Sequence, residues 1–284
     1  MTPSTPELRP SMSRPARTEG RSRPTTGARI IVNADDFGWD EDTTSATIEC
    51  FELGGLTSAT IMANMPSTEI AAAYACRHPE FSFGAHLTFT SDGFEYPVLP
   101  HERIPDITLE NGQFLTAFAF RSAILRNRLP AAQLEAEIEA QLGRLRDLGV
   151  PLSHVDSHGH VHRYGPVRAA IRKVLPRFGV RKVRSAQDLF LRRPYRSPAY
   201  WIGQWWRRAI RSTFLTTQHF YMPTTAWDRD WTARLLDRMP TALVEIGVHP
   251  GASDQWRDIE RIECQRFGSA ARARGHELVT WNDV

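Results

Sequence analysis

Four short segments of this 284-residue chain concentrate groups that bind cations or move protons. In chain order they are Asn33-Ala34-Asp35-Asp36-Phe37-Gly38, Gly84-Ala85-His86-Leu87-Thr88, the run from His154 to His162, and Glu245-Ile246-Gly247-Val248-His249-Pro250-Gly251. Adjacent carboxylates such as Asp35 and Asp36 repel each other, and a cation or a shared proton relieves the repulsion. An Asp here would equally suit the N-cap of the helix expected over Thr43–Leu53. The third segment packs four histidines and Asp156 into nine residues. Alternate side chains of an extended strand end share one side, so its imidazoles converge. Imidazole is the commonest protein ligand of first-row divalent metals, and a neighbouring carboxylate fixes the ring's tautomer. Read alone, His86 suits a hydrogen-bonded core position as well as a ligand. His249, held at a strand end by the Pro-Gly turn, is a candidate proton donor.

Together these segments offer one or two carboxylates, two or three imidazoles and no thiolate. That donor set fits a hard-to-borderline divalent ion with open water positions. Such an ion lowers the pKa of water and polarises a carbonyl, so amide or ester hydrolysis is the natural chemistry. Phosphoester hydrolysis draws on the same ligand types. A carbohydrate- or membrane-binding module that keeps the metal without turnover is the non-enzymatic alternative.

The elements that must position these residues follow from periodicity. Short β-branched runs alternate with helical stretches, the pattern of repeated βα units around a parallel sheet. Strands are expected at Arg29–Asn33, Ser58–Ala63, Ser82–Leu87, Ser153–Asp156, Lys182–Ser185, Leu243–Val248 and Glu277–Trp281. Every polar segment then falls at the C-terminal end of a strand, the edge where βα loops converge on one rim. A helix over Ala131–Leu148 presents Leu134, Ile138, Leu142 and Leu145 on one face, with Pro130 before it and Gly149 after it. Residues Thr90–Pro130 read as a long insertion that serves as a lid. The expected fold is α/β, with about seven parallel strands in a βα barrel related to the TIM barrel or in an open sheet.

Hydrophobic residues make up 41% of the chain and charged residues 24%, as in soluble globular proteins. No apolar run approaches the roughly 18 to 20 residues of a membrane span. Residues 1–27 read as a disordered tail, rich in Pro, Ser, Thr and Arg and without the apolar core of a secretory signal. Residues 28–284 then form a single catalytic domain. Three widely spaced cysteines suggest neither a disulfide framework nor a thiolate zinc site, which fits a reducing cytoplasm.

The net charge of +3 hides an uneven distribution. Between Val167 and Phe214, thirteen Lys and Arg, Arg184 among them, face Asp188 alone, a local charge of +12. Within the insertion near 190–222, Tyr200, Trp201, Trp205 and Trp206 interleave with Arg207, Arg208 and Arg211. Tryptophan with arginine at helical spacing suits a helix on an anionic membrane surface, so 195–221 is expected to bring a cytoplasmic protein to the inner face of the membrane. A homodimer contact or a sugar-stacking lid is the alternative. No nucleic-acid recognition fold surrounds the block.

NADDFG, GAHLTFT, HVDSHGHVH and EIGVHPG, in that order, resemble the YdjC/ChbG family of carbohydrate deacetylases from roughly Ile30 to Val284. The resemblance implies a distorted (β/α) barrel, one divalent ion (Mg²⁺ or Zn²⁺), and removal of acetate from an N-acetylglucosamine-type sugar, free or lipid-linked. By motif it puts Asp36, His86 and His158 on the metal, Asp35 on the general base and His249 on the general acid. Asp156 would orient a histidine from behind, and Asn33, His160 and His162 would support the ligands or line the sugar subsite. The chain departs from the family at Gly159, where a bulky polar residue is common, and at Thr43 and Thr44, where an Asn is common.

Overall fold

A computed structural model describes residues 1, 27–192, 194–224 and 228–284, so nearly all of the expected N-terminal tail lies outside the described residues. Among the described residues, seven strands form one sheet: β1 (Arg29–Phe37), β2 (Ser58–Ile61), β3 (Ser82–Leu87), β4 (Leu152–Ser157), β5 (His219–Tyr221), β6 (Leu243–Val248) and β7 (Glu277–Leu278). All pairings are parallel, in the order β4-β3-β2-β1-β6-β5, and β7 joins the start of β1. Eight α-helices of the described residues pack around it: α1 (Glu41–Glu52), α2 (Thr68–Arg77), α3 (Ala117–Leu125), α4 (Ala131–Asp147), α5 (Gly165–Val174), α6 (Pro198–Arg211), α7 (Trp231–Leu236) and α8 (Gln255–Ala273).

The sheet curls into a distorted (β/α) barrel, and residues 182–189 cross its open side. Val183 bridges Val155 of β4, Lys182 bridges Leu215, and the N–H groups of Asp188 and Leu189 donate to the Phe220 carbonyl of β5. The expected strand over Lys182–Ser185 is thus reduced to single bridges. The edge strand β5 escaped the periodicity reading, because three residues are too few for an alternating pattern to register.

Strands of a parallel sheet are covered on both faces, and here the two faces differ in chemistry. Toward the helices the layer is apolar: Phe37 packs among Phe51, Tyr74 and Phe83, and the expected α4 face of Leu134, Ile138, Leu142 and Leu145 is fully buried. Toward the barrel axis lie Asn33, Asp35, Thr60, His86, His154, Asp156, Arg184 and Glu245, all buried. Buried polar groups persist only when hydrogen-bonded or paired, so this inner layer must be a network.

The segment between β3 and α4 is fastened from below. Glu137 of α4, fully buried, accepts the N–H groups of Val98 and Leu99 at 2.8 and 3.0 Å and the Gln141 amide at 2.9 Å. Its near end reaches the barrel rim through Asp92 and Phe94.

Candidate active site

The site begins with an irregularity in β1. Asn33 and Asp35, two residues apart, share the inner face, and Asn33 Nδ2 donates to Asp35 Oδ1 at 2.9 Å. A regular strand would send Asp36 outward into the helix layer. Instead, four residues of β1 (Ala34 to Phe37) oppose three of β2 (Ala59 to Ile61), and Asp36 takes φ 58. This bulge turns Asp36 inward beside Asp35 and returns Phe37 to the apolar layer. Asp tolerates the left-handed conformation better than most side chains.

Asp36 then meets two histidines from neighbouring strand ends. Its Oδ1 lies 3.2 Å from His86 Nε2, at the end of β3, and 3.1 Å from His158 Nδ1, just past β4. The three residues each offer a ligand atom, and those atoms lie within 4.8 Å of one another. His86 Nδ1 donates to Asp156 Oδ1 at 2.7 Å, which in the neutral ring leaves Nε2 as a lone pair aimed at Asp36. Two acceptors that close need a proton or a cation between them. The free oxygen of Asp36, Oδ2, accepts Arg257 Nη2 at 2.8 Å, and the guanidinium is sandwiched between Trp39 and Trp256, at 4.3 and 4.6 Å from their centroids.

On the other side of Asp35 stands Arg184, fully buried. It pairs with Asp35, Asp156 and Glu245 at 2.5 to 2.8 Å. Sequence reasoning counted it within the basic block, and nothing in the local sequence marks it as an interior charge. His249 Nε2 lies 3.8 Å from Asp35 Oδ2, while its ring Nδ1 and backbone N–H both meet Glu260 Oε2, at 3.2 and 2.7 Å. Glu260 and Arg257 were also missed, but a signal existed. They share with Cys264, Phe267 and Ala271 the i, i+3, i+7 face that α8 buries.

The histidine run divides at His158. His154, Asp156 and His158 alternate inward as expected, and then Gly159 (φ 60) and His160 (φ 54) wind the chain into a turn. His154 is stacked on Trp281 at 4.5 Å and meets Asn33 Oδ1 at 3.2 Å. His160 faces Met222 Sδ at 3.2 Å, and His162 is locked to Ser157 Oγ at 2.7 Å. Neither His160 nor His162 joins the Asp36 cluster. Asp92, a further residue that sequence reasoning passed over, caps His158 Nε2 at 3.1 Å.

Charge balance separates the two kinds of histidine. Burial alone lowers an imidazole pKa, and it drives His154, His160 and His162 well below their ordinary value. For His86 the carboxylates of Asp156 and Asp36 outweigh burial and push it up to about 10. For His158 the hydrogen bonds to Asp36 and Asp92 do the same, to about 9. Glu260 raises His249 against burial. Asp35 moves the other way: burial would raise it, but Arg184 holds it well below the usual carboxylate range. Five buried carboxylates (Asp35, Asp36, Asp156, Glu245, Glu260) face two guanidinium groups, so the cluster calls for further positive charge, met by protons on the imidazoles or by a cation in their place. A divalent ion at Asp36, His86 and His158 fits that demand and the donor chemistry. Asp35, His86 and Asp156 also lie within ligand distance of one another, but Arg184 already pairs with both carboxylates.

Comparison with known proteins agrees with this architecture. The family profile described as YdjC-like protein matches residues 29–283. A protein of Geobacillus stearothermophilus named carbohydrate deacetylase is 36% identical over 170 residues, 59% of this chain and 62% of that protein. Another of the same name from Brevibacillus brevis is 30% identical over 231 residues, 80% of this chain and 83% of that protein. The chain thus spans less than two thirds of the first relative and most of the second. Among solved structures, a protein of Enterococcus faecalis V583, described as a candidate cellobiose-phosphate cleavage protein, superposes with a TM-score of 0.74 over 91% of this chain and 99% of its own, at 22% identity. At that identity the likeness speaks for the fold. The profile covers nearly all of the described barrel and carries the four polar segments at its strand ends, and the chain belongs to the YdjC-like protein family.

Proposed function

We propose that this chain hydrolyses the acetamide of an N-acetylated sugar, releasing acetate and leaving the free amine. The observation that carries the reading is the convergence of Asp36, His86 and His158, with Asp35 and His249 placed 3.8 Å apart on the flank of that cluster. The deacetylase names of the relatives support it.

Asp36, His86 and His158 would hold one divalent ion, Mg²⁺ or Zn²⁺, which activates water and polarises the amide carbonyl when bound. Asp156 keeps the ligating nitrogen of His86 free by accepting the proton on the other one. Asp35, fixed by Arg184 and Asn33, accepts the proton of the attacking water as the C–O bond forms. His249, whose pKa the Glu260 carboxylate raises against burial, delivers a proton to the sugar nitrogen as the C–N bond breaks. Trp39 and Phe94, stacked at 5.6 Å beside His158, offer the apolar face of a pyranose a surface to lie on. The charge that Arg184 places between Asp35 and Asp156 argues for one ion rather than the metal pair that a phosphoester hydrolase would favour.

The test is acetate release from a panel of N-acetylated mono- and oligosaccharides by metal-loaded protein. Release from at least one sugar, lost in Asp35→Asn, is expected. Metal-loaded protein that frees no acetate from any of them would overturn the reading.

A further inference from the structure

The expected basic and aromatic block folds into α6, and its outer face is unusual. Trp201 and Trp205 are 63% and 61% exposed, and Ile202 stands exposed between them. The opposite face anchors the helix: Trp206 packs edge-on against Tyr164 at 5.4 Å, the Arg163 guanidinium lies 4.6 Å from the same ring, and Ile210 is fully buried. The indoles are therefore held outward by a fixed helix. Monomeric proteins rarely display two tryptophans and an isoleucine side by side without a use for them.

Arginines border this patch on the α5 side. Arg168 lies 5.9 Å from the Trp205 ring, and one turn on, Arg172 joins Arg181 and Arg211 in a cleft of about 510 Å³ that no acidic residue lines. Lys173 and Arg177 are already spent on Glu135 and Glu139, and Arg207 on Asp188, so the cleft arginines and exposed Arg208 carry the charge of this face.

We propose that this face docks on an anionic bilayer surface, with α6 lying in the interface. Trp201, Ile202 and Trp205 would enter the headgroup boundary, and Arg172, Arg181 and Arg211 would meet lipid phosphates. Charge complementarity selects this occupant: a second copy of the chain would bring the same arginines against themselves, and an apolar patch gains nothing from a nucleic-acid backbone. Among the described residues no helix is long and apolar enough to cross a membrane, so the contact is peripheral. Tyr164 and Arg163, against which α6 packs, end the turn that begins with His158, so docking brings the barrel rim close to the lipid surface.

The experiment is co-sedimentation of the full chain with vesicles of phosphatidylglycerol and phosphatidylcholine in equal parts, beside vesicles of phosphatidylcholine alone, at fixed ionic strength. Binding to the anionic vesicles only, weakened by added salt, is expected. The pair Trp201→Ser and Trp205→Ser should weaken it by more than about tenfold, since both indoles leave the interface. Arg172→Ser and Arg211→Ser should each cost roughly fivefold. All four side chains lie at the surface, and unchanged thermal unfolding would show the variants folded. Equal binding to neutral vesicles, or binding to neither, overturns the proposal. So does a lipid-independent dimer abolished by the tryptophan substitutions, or full displacement by inorganic phosphate at constant ionic strength.

Discussion

Arg184 grips Asp35 with both terminal nitrogens, Nη1 to Oδ2 at 2.5 Å and Nη2 to Oδ1 at 2.7 Å, and neither side chain reaches solvent. The same guanidinium holds Asp156 and Glu245, so one cation sets the geometry of three carboxylates. Arg184→Met would leave those carboxylates unpaired in the barrel interior and should destabilise the protein by about 3–5 kcal/mol. Arg184→Lys keeps a charge but loses the planar fork, and should fold while turning over slowly. Urea unfolding of both variants, beside acetate release by the Lys variant, checks the pair. An unshifted midpoint for Arg184→Met would refute the account.

Glu245 gives a pH dependence with a definite sign. Burial raises its pKa, Arg184 opposes, and the balance is about 7 against an ordinary 4.5. The fold therefore favours the protonated form. The stability tied to Glu245 is fully present below about pH 4.5 and is lost as pH rises through about 7, a change on the order of 3 kcal/mol. Glu245→Gln cannot titrate. The difference in unfolding free energy between wild type and Glu245→Gln should thus slope across that window, and a flat difference would mean that Arg184 keeps Glu245 ionised throughout.

Metal removal tests the Asp36 cluster directly. A chelator should abolish acetate release, and one equivalent of Mg²⁺ or Zn²⁺ per chain should restore it. A bound ion stabilises the folded chain by about 2.7 kcal/mol at a hundredfold excess over Kd, so the ion should raise the thermal midpoint of wild type and leave that of Asp36→Ala or His86→Ala unmoved. Asp156→Asn, which weakens the acceptor for the far nitrogen of His86 and removes one carboxylate from Arg184, should lower ion affinity by about 10–100-fold. A stoichiometry of two would reopen the phosphoester reading.

The parts legible in the sequence are those that obey a period. Strand ends at Asp35, His86, Asp156 and His249 were readable because apolar runs stop there, and the shared strand polarity brings them to one rim. What stayed hidden depends on three-dimensional closure. Arg184 is chemically identical to its surface neighbours in the basic block, and only the crossing of the barrel's open side by 182–189 puts it at the axis. The inward turn of Asp36 rests on a bulge that no local pattern announces. Arg257 and Glu260 were readable in principle, as charges on the buried stripe of α8, but an Arg–Glu pair on a helix ordinarily reads as solvent-facing.

Two glycines should answer the same substitution with opposite signs. Gly84 opens the GAHL segment, and a Cβ there would stand 2.5 Å from the His154 carbonyl oxygen and 2.7 Å from its ring nitrogen. His154 cannot retreat, because its ring lies against Trp281 and bonds to Asn33. Gly84→Ala must therefore push β3 and β4 apart, at about 1–3 kcal/mol. His86, two residues along the same strand, would move with it, so ion affinity should fall alongside stability. Gly143 sits inside α4 with nothing within 4 Å of its would-be Cβ, and Gly143→Ala should instead stabilise by about 0.5–1 kcal/mol. Unfolding of both variants with an ion titration of the first decides the matter. If Gly84→Ala binds the ion as wild type does, the packing of His154 against Gly84 has no part in placing His86.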